Sequence, residues 1–401
     1  MTKNKYSHRL DQKDVDGIYM SNNDLSVLES YCMIPSASGF EKRVQNKLIG
    51  HFKRLGLKET NNFNSPHSYI ASDALGNLYA KFPGEKSLPS VAYLAHADSP
   101  AFMITTIDDS GFISASPIGM SIDRRLMQGR PVLVGARNNR TIPGAFAMKH
   151  IHLNLYEEED ETEWKENISI DCGAIDRDML EKEGVCVGNP VFFEPRFKLL
   201  LDHELCQASN LDDRAGTFVL HRMAKHLIKN PKNRGDVYLV STVSEEIGPQ
   251  GSTLTAKFLA PYVDVAIAID ATCSIDYLYD AEPERLYSSE IKLSSGPVIK
   301  RAGFNEKIVS DVLKGIAKKR KIEYQIESDT DNTPTDEIWF RMEGVPTSAL
   351  YVATRNLHTP VEVIDTCDLE KLTIMATESP YALAQDKKFL NYINSIARIR
   401  R

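Results

Sequence analysis

The stretch Val237-Tyr-Leu-Val-Ser-Thr-Val-Ser-Glu-Glu-Ile-Gly248 is an apolar, β-branched run that stops on two adjacent carboxylates. Its composition predicts a buried strand that delivers Glu245 and Glu246 to its own end. Successive side chains on an extended chain point in opposite directions, so the two glutamates can be given different tasks, one facing a metal and the other a substrate. Taken alone, the pair reads rather as the solvated opening of a loop, because Glu is mostly exposed.

Strands and helices alternate on either side of this stretch. Upstream, Leu220, Met223, Ala224 and Leu227 follow helical spacing from Asp212 to the Asn230-Pro231 stop. Downstream come a helix near 252 to 259, a strand from 263 to 270, a helix at 305 to 319, strands at 322 to 326 and 347 to 352, and a helix from about 366 to 385. Towards the N-terminus, Asp24 is placed to cap a short helix. Ser38-Gly-Phe-Glu41 has capping-box spacing before the stripe Val44, Leu48, Ile49, Phe52 and Leu55, which Gly56 closes. Strands follow at 75 to 82 and 90 to 95, the second ending at His96-Ala-Asp98.

This alternation argues for the α/β class, with a mainly parallel sheet and helices on both faces. Residues 98 to 204 have a different texture. Short strands separated by Gly and Pro turns predict an inserted small all-β domain there, with the acidic run Glu157 to Glu163 as an exposed loop. The expected organisation is therefore an N-terminal arm at 1–21, a catalytic α/β domain built from 22–97 and 205–390, the β domain at 98–204 and a basic tail at 391–401.

The chain has 401 residues and a formal net charge of -7, ample for a large core. No apolar run approaches the roughly 20 residues needed to cross a bilayer, and the N-terminus lacks a signal core, so a cytoplasmic location and no membrane partner are expected. Six scattered cysteines without a CxxC read as reduced thiols. The basic patches Lys318 to Lys321 and Arg398 to Arg401 lack interleaved aromatics, which argues against nucleic acid.

In an open α/β sheet, ligands bind beyond the carboxyl ends of the strands. Those ends carry His96 with Asp98, Glu245 with Glu246, Asp270, and the segment Arg355-Asn-Leu-His358; Asp212 opens a helix nearby. Two histidines and three carboxylates on one edge form a donor set for first-row divalent ions, with enough donors for two ions sharing a carboxylate. Each residue also has an ordinary reading. His96 could be a core histidine, Asp212 a helix cap and His358 plain surface, while Asp270 ends a run so apolar that it needs a metal or a salt bridge. Asp98, two residues beyond His96, can hydrogen-bond its imidazole. Five such coincidences at one edge weaken the ordinary readings together.

The motifs His96-Ala-Asp98, Leu211-Asp-Asp-Arg-Ala-Gly216, Ser244-Glu-Glu-Ile-Gly248, Ala268-Ile-Asp270 and Arg355-Asn-Leu-His-Thr-Pro-Val-Glu362 resemble those of the glutamyl and tetrahedral (TET) aminopeptidases with co-catalytic metals. The likeness runs from about residue 24 to 385. It implies that Asp212 bridges two metals, that His96 and Asp270 complete one site and Glu246 and His358 the other, and that Glu245 is the general base. It also implies assembly through the β domain, from dimers up to dodecamers. The sequence departs from the family at Asn356, where Tyr is usual, and at Thr359, where Ser is usual. Ser99-Pro-Ala-Phe is closer to the aspartyl aminopeptidases. The family's Gly-Thr-Asp motif is blurred, leaving Asp331 and Asp336 as alternative counterparts.

The expectation is a metal-dependent aminopeptidase acting on peptides with two divalent ions per subunit, Zn, Co or Mn. Its catalytic residues are Glu245 and Asp98, and its ligands are His96, Asp212, Glu246, Asp270 and His358. The alternatives are a dinuclear amidase or deacylase of N-acylated small molecules, and a scaffold with vestigial chemistry.

Overall fold

The computed structural model describes residues 18–400 apart from 64, 120–121, 124–126, 148–168, 202–203, 277–289, 304 and 330–334, and gives only the backbone for 397–400. Most of the expected arm, the acidic run Glu157 to Glu163 and Asp331 therefore lie outside the described residues.

Nine strands form one large sheet. In spatial order they are Lys58–Glu59, Tyr69–Ser72, Leu78–Phe82, Val237–Thr242, Val91–His96, Val265–Cys273, Thr347–Thr354, Val298–Ala302 and Gln325–Asp329. The four strands from Val237–Thr242 to Thr347–Thr354 are parallel neighbours. Antiparallel pairings enter on both sides of them, so the sheet is mixed. Three of these four strands are buried along their whole length, and Val265–Cys273 is buried through Asp270. That is what near-continuous apolar runs in a parallel sheet require. Helices Leu211–Lys229, Lys307–Arg320 and Thr366–Gln385 cover one face with Asn22–Cys32 and Lys42–Arg54. Gln250–Leu259 and Glu337–Met342 cover the other.

Register brings the strand ends level. Thr242 lies opposite His96. Ala268 lies opposite Leu94, which sets Asp270 beside His96 two residues on.

Between the two halves of the large sheet's sequence, six strands close into a barrel: Ala101–Ile107, Ile113–Ile118, Pro131–Gly135, Thr141–Phe146, Ser169–Asp171 and Pro190–Phe193. It has its own apolar centre, in which Phe146 and Phe193 meet Phe102 edge-on at 4.9 and 5.3 Å. The region is not wholly β. Helix Arg177–Glu183 is capped by Asp176 and stopped by Gly184 at φ 81°, a left-handed position suited to glycine.

Several expectations change at element ends. Ser21, not Asp24, caps Asn22–Cys32. Ser38 and Glu41 do not form a capping box, because Lys42–Arg54 begins without a side-chain cap. The segment expected as a basic tail belongs to helix Lys387–Arg400, whose Phe389 and Ile393 are buried in the main core. A third, antiparallel sheet of Phe197–Leu199, Leu205–Ala208 and Glu362–Asp365 was not foreseen, because runs of three or four residues carry little periodicity. Among the described residues no helix is long and apolar enough to cross a membrane, and none of the six cysteines is in a disulfide.

Where Lys42–Arg54 meets Leu211–Lys229, His51 and His221 stack at 3.4 Å between ring centroids. His221 Nδ1 lies 3.0 Å from the Tyr31 hydroxyl, and His51 Nε2 lies 3.0 Å from the His221 carbonyl. Burial lowers both imidazoles, His51 to about 4 and His221 to about 3, with the neighbouring Arg54 and Lys225 adding to the effect. The folded chain therefore binds these protons less readily than the unfolded chain, whose histidines titrate near pH 6.5. Their contribution to stability is complete above about pH 6.5 and is lost as pH falls towards 4. Denaturant midpoints measured across that window should decline, and the decline should be shallower in His51→Gln than in the unchanged chain.

Candidate metal centre

Each motif reaches the sheet edge by a local backbone device. His96 is the last residue of its strand. Past Val237–Thr242 the chain turns at Ser244, whose φ of 58° is left-handed and redirects Glu245 and Glu246 away from the strand path. Asp212 and Asp213 have extended and irregular dihedrals at the mouth of Leu211–Lys229. Asp212 is thus not the cap of a regular turn. His358 is also left-handed, at φ 60°, in a loop pinned by the Arg355–Val363 bridge.

All five expected ligands converge. His96 Nε2 is 2.9 Å from Asp212 Oδ1 and 3.6 Å from Asp270 Oδ1. His358 Nε2 is 3.1 Å from Asp212 Oδ2 and 3.8 Å from Glu246 Oε2. The donor atoms of His96, Asp212 and Asp270 lie within 4.8 Å of one another, and so do those of Asp212, Glu246 and His358. Asp212 belongs to both groups through different oxygens.

The residues present fit a pair of divalent cations. Glu246 Oε1 is buried without a hydrogen-bond partner, a cost that native sites seldom carry without a function. Burial and the charge of Asp212 push Glu246 up to about 8. Burial, with Asp270, Asp336 and Glu246, holds Glu245 well above the carboxylate range against the pull of His96. Burial alone would lower His96 and His358, but their contacts to Asp212 outweigh it; His96 is held well above its usual range and His358 at about 10. Protons on these groups offset the crowded negative charge, and bound cations would replace them.

A surrounding layer of buried groups fixes this arrangement. Asp98 Oδ1 lies 3.4 Å from His96 Nδ1 and accepts the Glu245 N–H at 3.1 Å. Its Oδ2 accepts the Glu246 N–H at 3.1 Å and the Ser38 hydroxyl at 2.7 Å. Glu362 accepts the N–H groups of Asp212, at 3.2 Å, and His358, at 3.0 Å, so one carboxylate clamps the backbones of two of the converging residues. Asp213 accepts the N–H groups of His96 and Gly216 at 3.1 and 2.7 Å. Arg214 is fully buried behind them and donates to the Asp98 carbonyl and Ser36. Of these, Arg214 and Glu362 were visible only as letters within motifs. Asp336 is buried against Thr242, raised by burial to about 6, and adds to the negative charge felt by Glu245.

A sheet edge gathering two histidines and two further carboxylates around a shared aspartate defines an α/β protein with a candidate two-cation centre. A profile of the M42 glutamyl aminopeptidase family matches residues 76–375. The chain is 26% identical to a lysyl aminopeptidase of Pyrococcus furiosus over 84% of its own length and 94% of that protein. It is similar to the structure of an aminopeptidase from Desulfurococcus kamchatkensis, with 26% identity and a TM-score of 0.78 over 93% of this chain and 97% of that one. The TET1 peptidase of Pyrococcus horikoshii gives 28% and 0.75, over 90% and 99%. The chain belongs to the M42 glutamyl aminopeptidase family. It is a hydrolase of the exopeptidase kind, an aminopeptidase.

Gly216 offers a test of the packing. A Cβ there would fall 2.4 and 2.6 Å from the Asp213 carboxylate oxygens and 2.7 Å from the Ile269 carbonyl. Gly216→Ala should cost about 1–3 kcal/mol of stability through overpacking as it shifts Asp213 off His96. Thermal unfolding of the variant beside the unchanged chain would show the loss.

Proposed function

We propose that this aminopeptidase binds two divalent cations per subunit, one between His96, Asp212 and Asp270 and one between Asp212, Glu246 and His358, with Glu245 as general base. The observation that carries the reading is the shared Asp212, whose two oxygens face the two groups at 2.9 and 3.1 Å from their histidines. An all-nitrogen and oxygen donor set suits Zn, Co or Mn. When bound, such ions polarise the scissile carbonyl and lower the pKa of water from about 15.7 towards about 7. Glu245 takes the proton of the attacking water and returns it to the leaving amine, a role worth about 10² to 10⁴ in rate. Asp98 keeps the Glu245 and Glu246 backbone in place and backs His96. The substrate is a peptide with a free N-terminus. Family membership favours this over the amidase and scaffold alternatives.

We extend the reading to organisation. Residues 22–97 and 205–390 make the catalytic unit, and 98–204, which hold the closed barrel, serve assembly into a homo-oligomer. In support, the TET1 peptidase it resembles assembles into a tetrahedron or a large octahedral shell. Met103, Phe112, Ile175, Met179 and Val187 are large apolar side chains exposed in the barrel region, as assembly surfaces require.

The two neighbouring glutamates should separate in experiment. Glu245→Gln should keep both ions and lose at least about a hundredfold in kcat on aminoacyl amides, whereas Glu246→Gln should lose one ion. Metal content by atomic spectroscopy beside turnover checks both. Wild-type turnover in Glu245→Gln would refute the base.

A further inference from the structure

Ser38 and Glu41 have the spacing of a capping box, yet neither side chain caps the helix that follows them. Both side chains are used at the metal centre instead. Ser38 Oγ donates to Asp98 Oδ2 at 2.7 Å. Glu41 Oε1 accepts the N–H of Ser244 at 3.0 Å and of Gly39 at 2.8 Å, with the Ser244 hydroxyl at 3.4 Å. Asp98 takes the next two N–H groups, of Glu245 and Glu246. Three consecutive backbone donors at the turn are thus held by two buried carboxylates, Glu41 and Asp98.

That turn is the one whose first residue is left-handed, at φ 58°. A serine persists in this conformation only where its surroundings over-determine it, and Glu41 is the group bonded to its N–H. The segment bearing Ser38 and Glu41 is itself firmly seated. Ser36 Oγ donates to the Ala97 carbonyl at 2.6 Å and accepts from Arg214 at 2.7 Å. Ala37 and Phe40 pack against Ala101, Phe192 and Ile118 of the barrel.

We propose that Glu41 is a positioning residue for Glu245, holding Ser244 in the conformation that aims the base, with Ser38 supporting the same turn through Asp98. The inference rests on the reading of Glu245 as general base. Among the described residues the hydrogen bonds of Glu41 Oε1 go to Ser244 and Gly39, not to the side chains of either group of cation donors.

The test is a double-mutant cycle on aminoacyl amides, using the full chain loaded with its divalent ion. Glu41→Ala should lower kcat about ten- to a hundredfold, the scale of a misplaced catalytic group, with KM little changed and both ions retained. Glu41→Gln should recover most of the loss, because its amide oxygen still accepts the Ser244 N–H. In a Glu245→Gln background, Glu41→Ala should cost almost nothing further, since residues that act as one unit are non-additive. Ser38→Ala should show the same pattern more weakly, and it carries the cycle if Glu41→Ala fails to fold. Additive losses, a missing ion in Glu41→Ala, or unchanged kcat in both variants would overturn the positioning role. Undiminished turnover in Glu245→Gln alone would instead overturn the base assignment, and the positioning role with it.

Discussion

Crowding of buried carboxylates at one sheet edge is the constraint on which the rest of the structure depends. Asp98, Asp212, Asp213, Glu246, Asp270 and Glu362 come together there with Glu245, and the positive charge of the fully buried Arg214 lies behind them. Burying one unpaired carboxylate costs several kcal/mol, so a collection of this size exists only if something offsets it. Backbone N–H groups do part of that work, through Asp98, Asp213 and Glu362. The remaining imbalance is what two divalent cations would remove, and the paired histidines on the two oxygens of Asp212 are laid out for it.

The same crowding explains where the backbone is unusual. Ser244 and His358 are left-handed, and Asp212 and Asp213 leave helical dihedrals at the mouth of their helix. Regular strands and helices space side chains along themselves, whereas a centre of this kind needs donors from five separate elements within a few ångströms. The sharp local turns provide that convergence, and the apolar sheet beneath, buried on both faces, provides the rigidity to hold it.

Much of this was legible beforehand. The run from Val237 ends where its composition said, and the strands carrying His96 and Asp270 were recognisable from uninterrupted β-branched and alanine-rich sequence. Other features misled for definite reasons. Ser38 and Glu41 fit a cap perfectly by spacing, but spacing does not say whether a carboxylate will serve its own helix or a turn two hundred residues away. The last segment read as a basic tail because Arg398 and Arg400 dominate its end, while Phe389 and Ile393 supply the apolar stripe that folds it onto the core. The strands around Ala208 and Glu362 were too short for a period to show.

The sequence by itself determined the α/β class, the strand ends and the identity of the five candidate donors, because period-2 and period-3.6 patterns and side-chain chemistry are local properties. Tertiary structure alone decided that Asp212 faces both histidines, that Asp98 and Glu362 serve backbone N–H groups, and that Glu41 answers to Ser244. These depend on register between strands and on which buried donor lacks a partner, and both are settled only when distant segments meet.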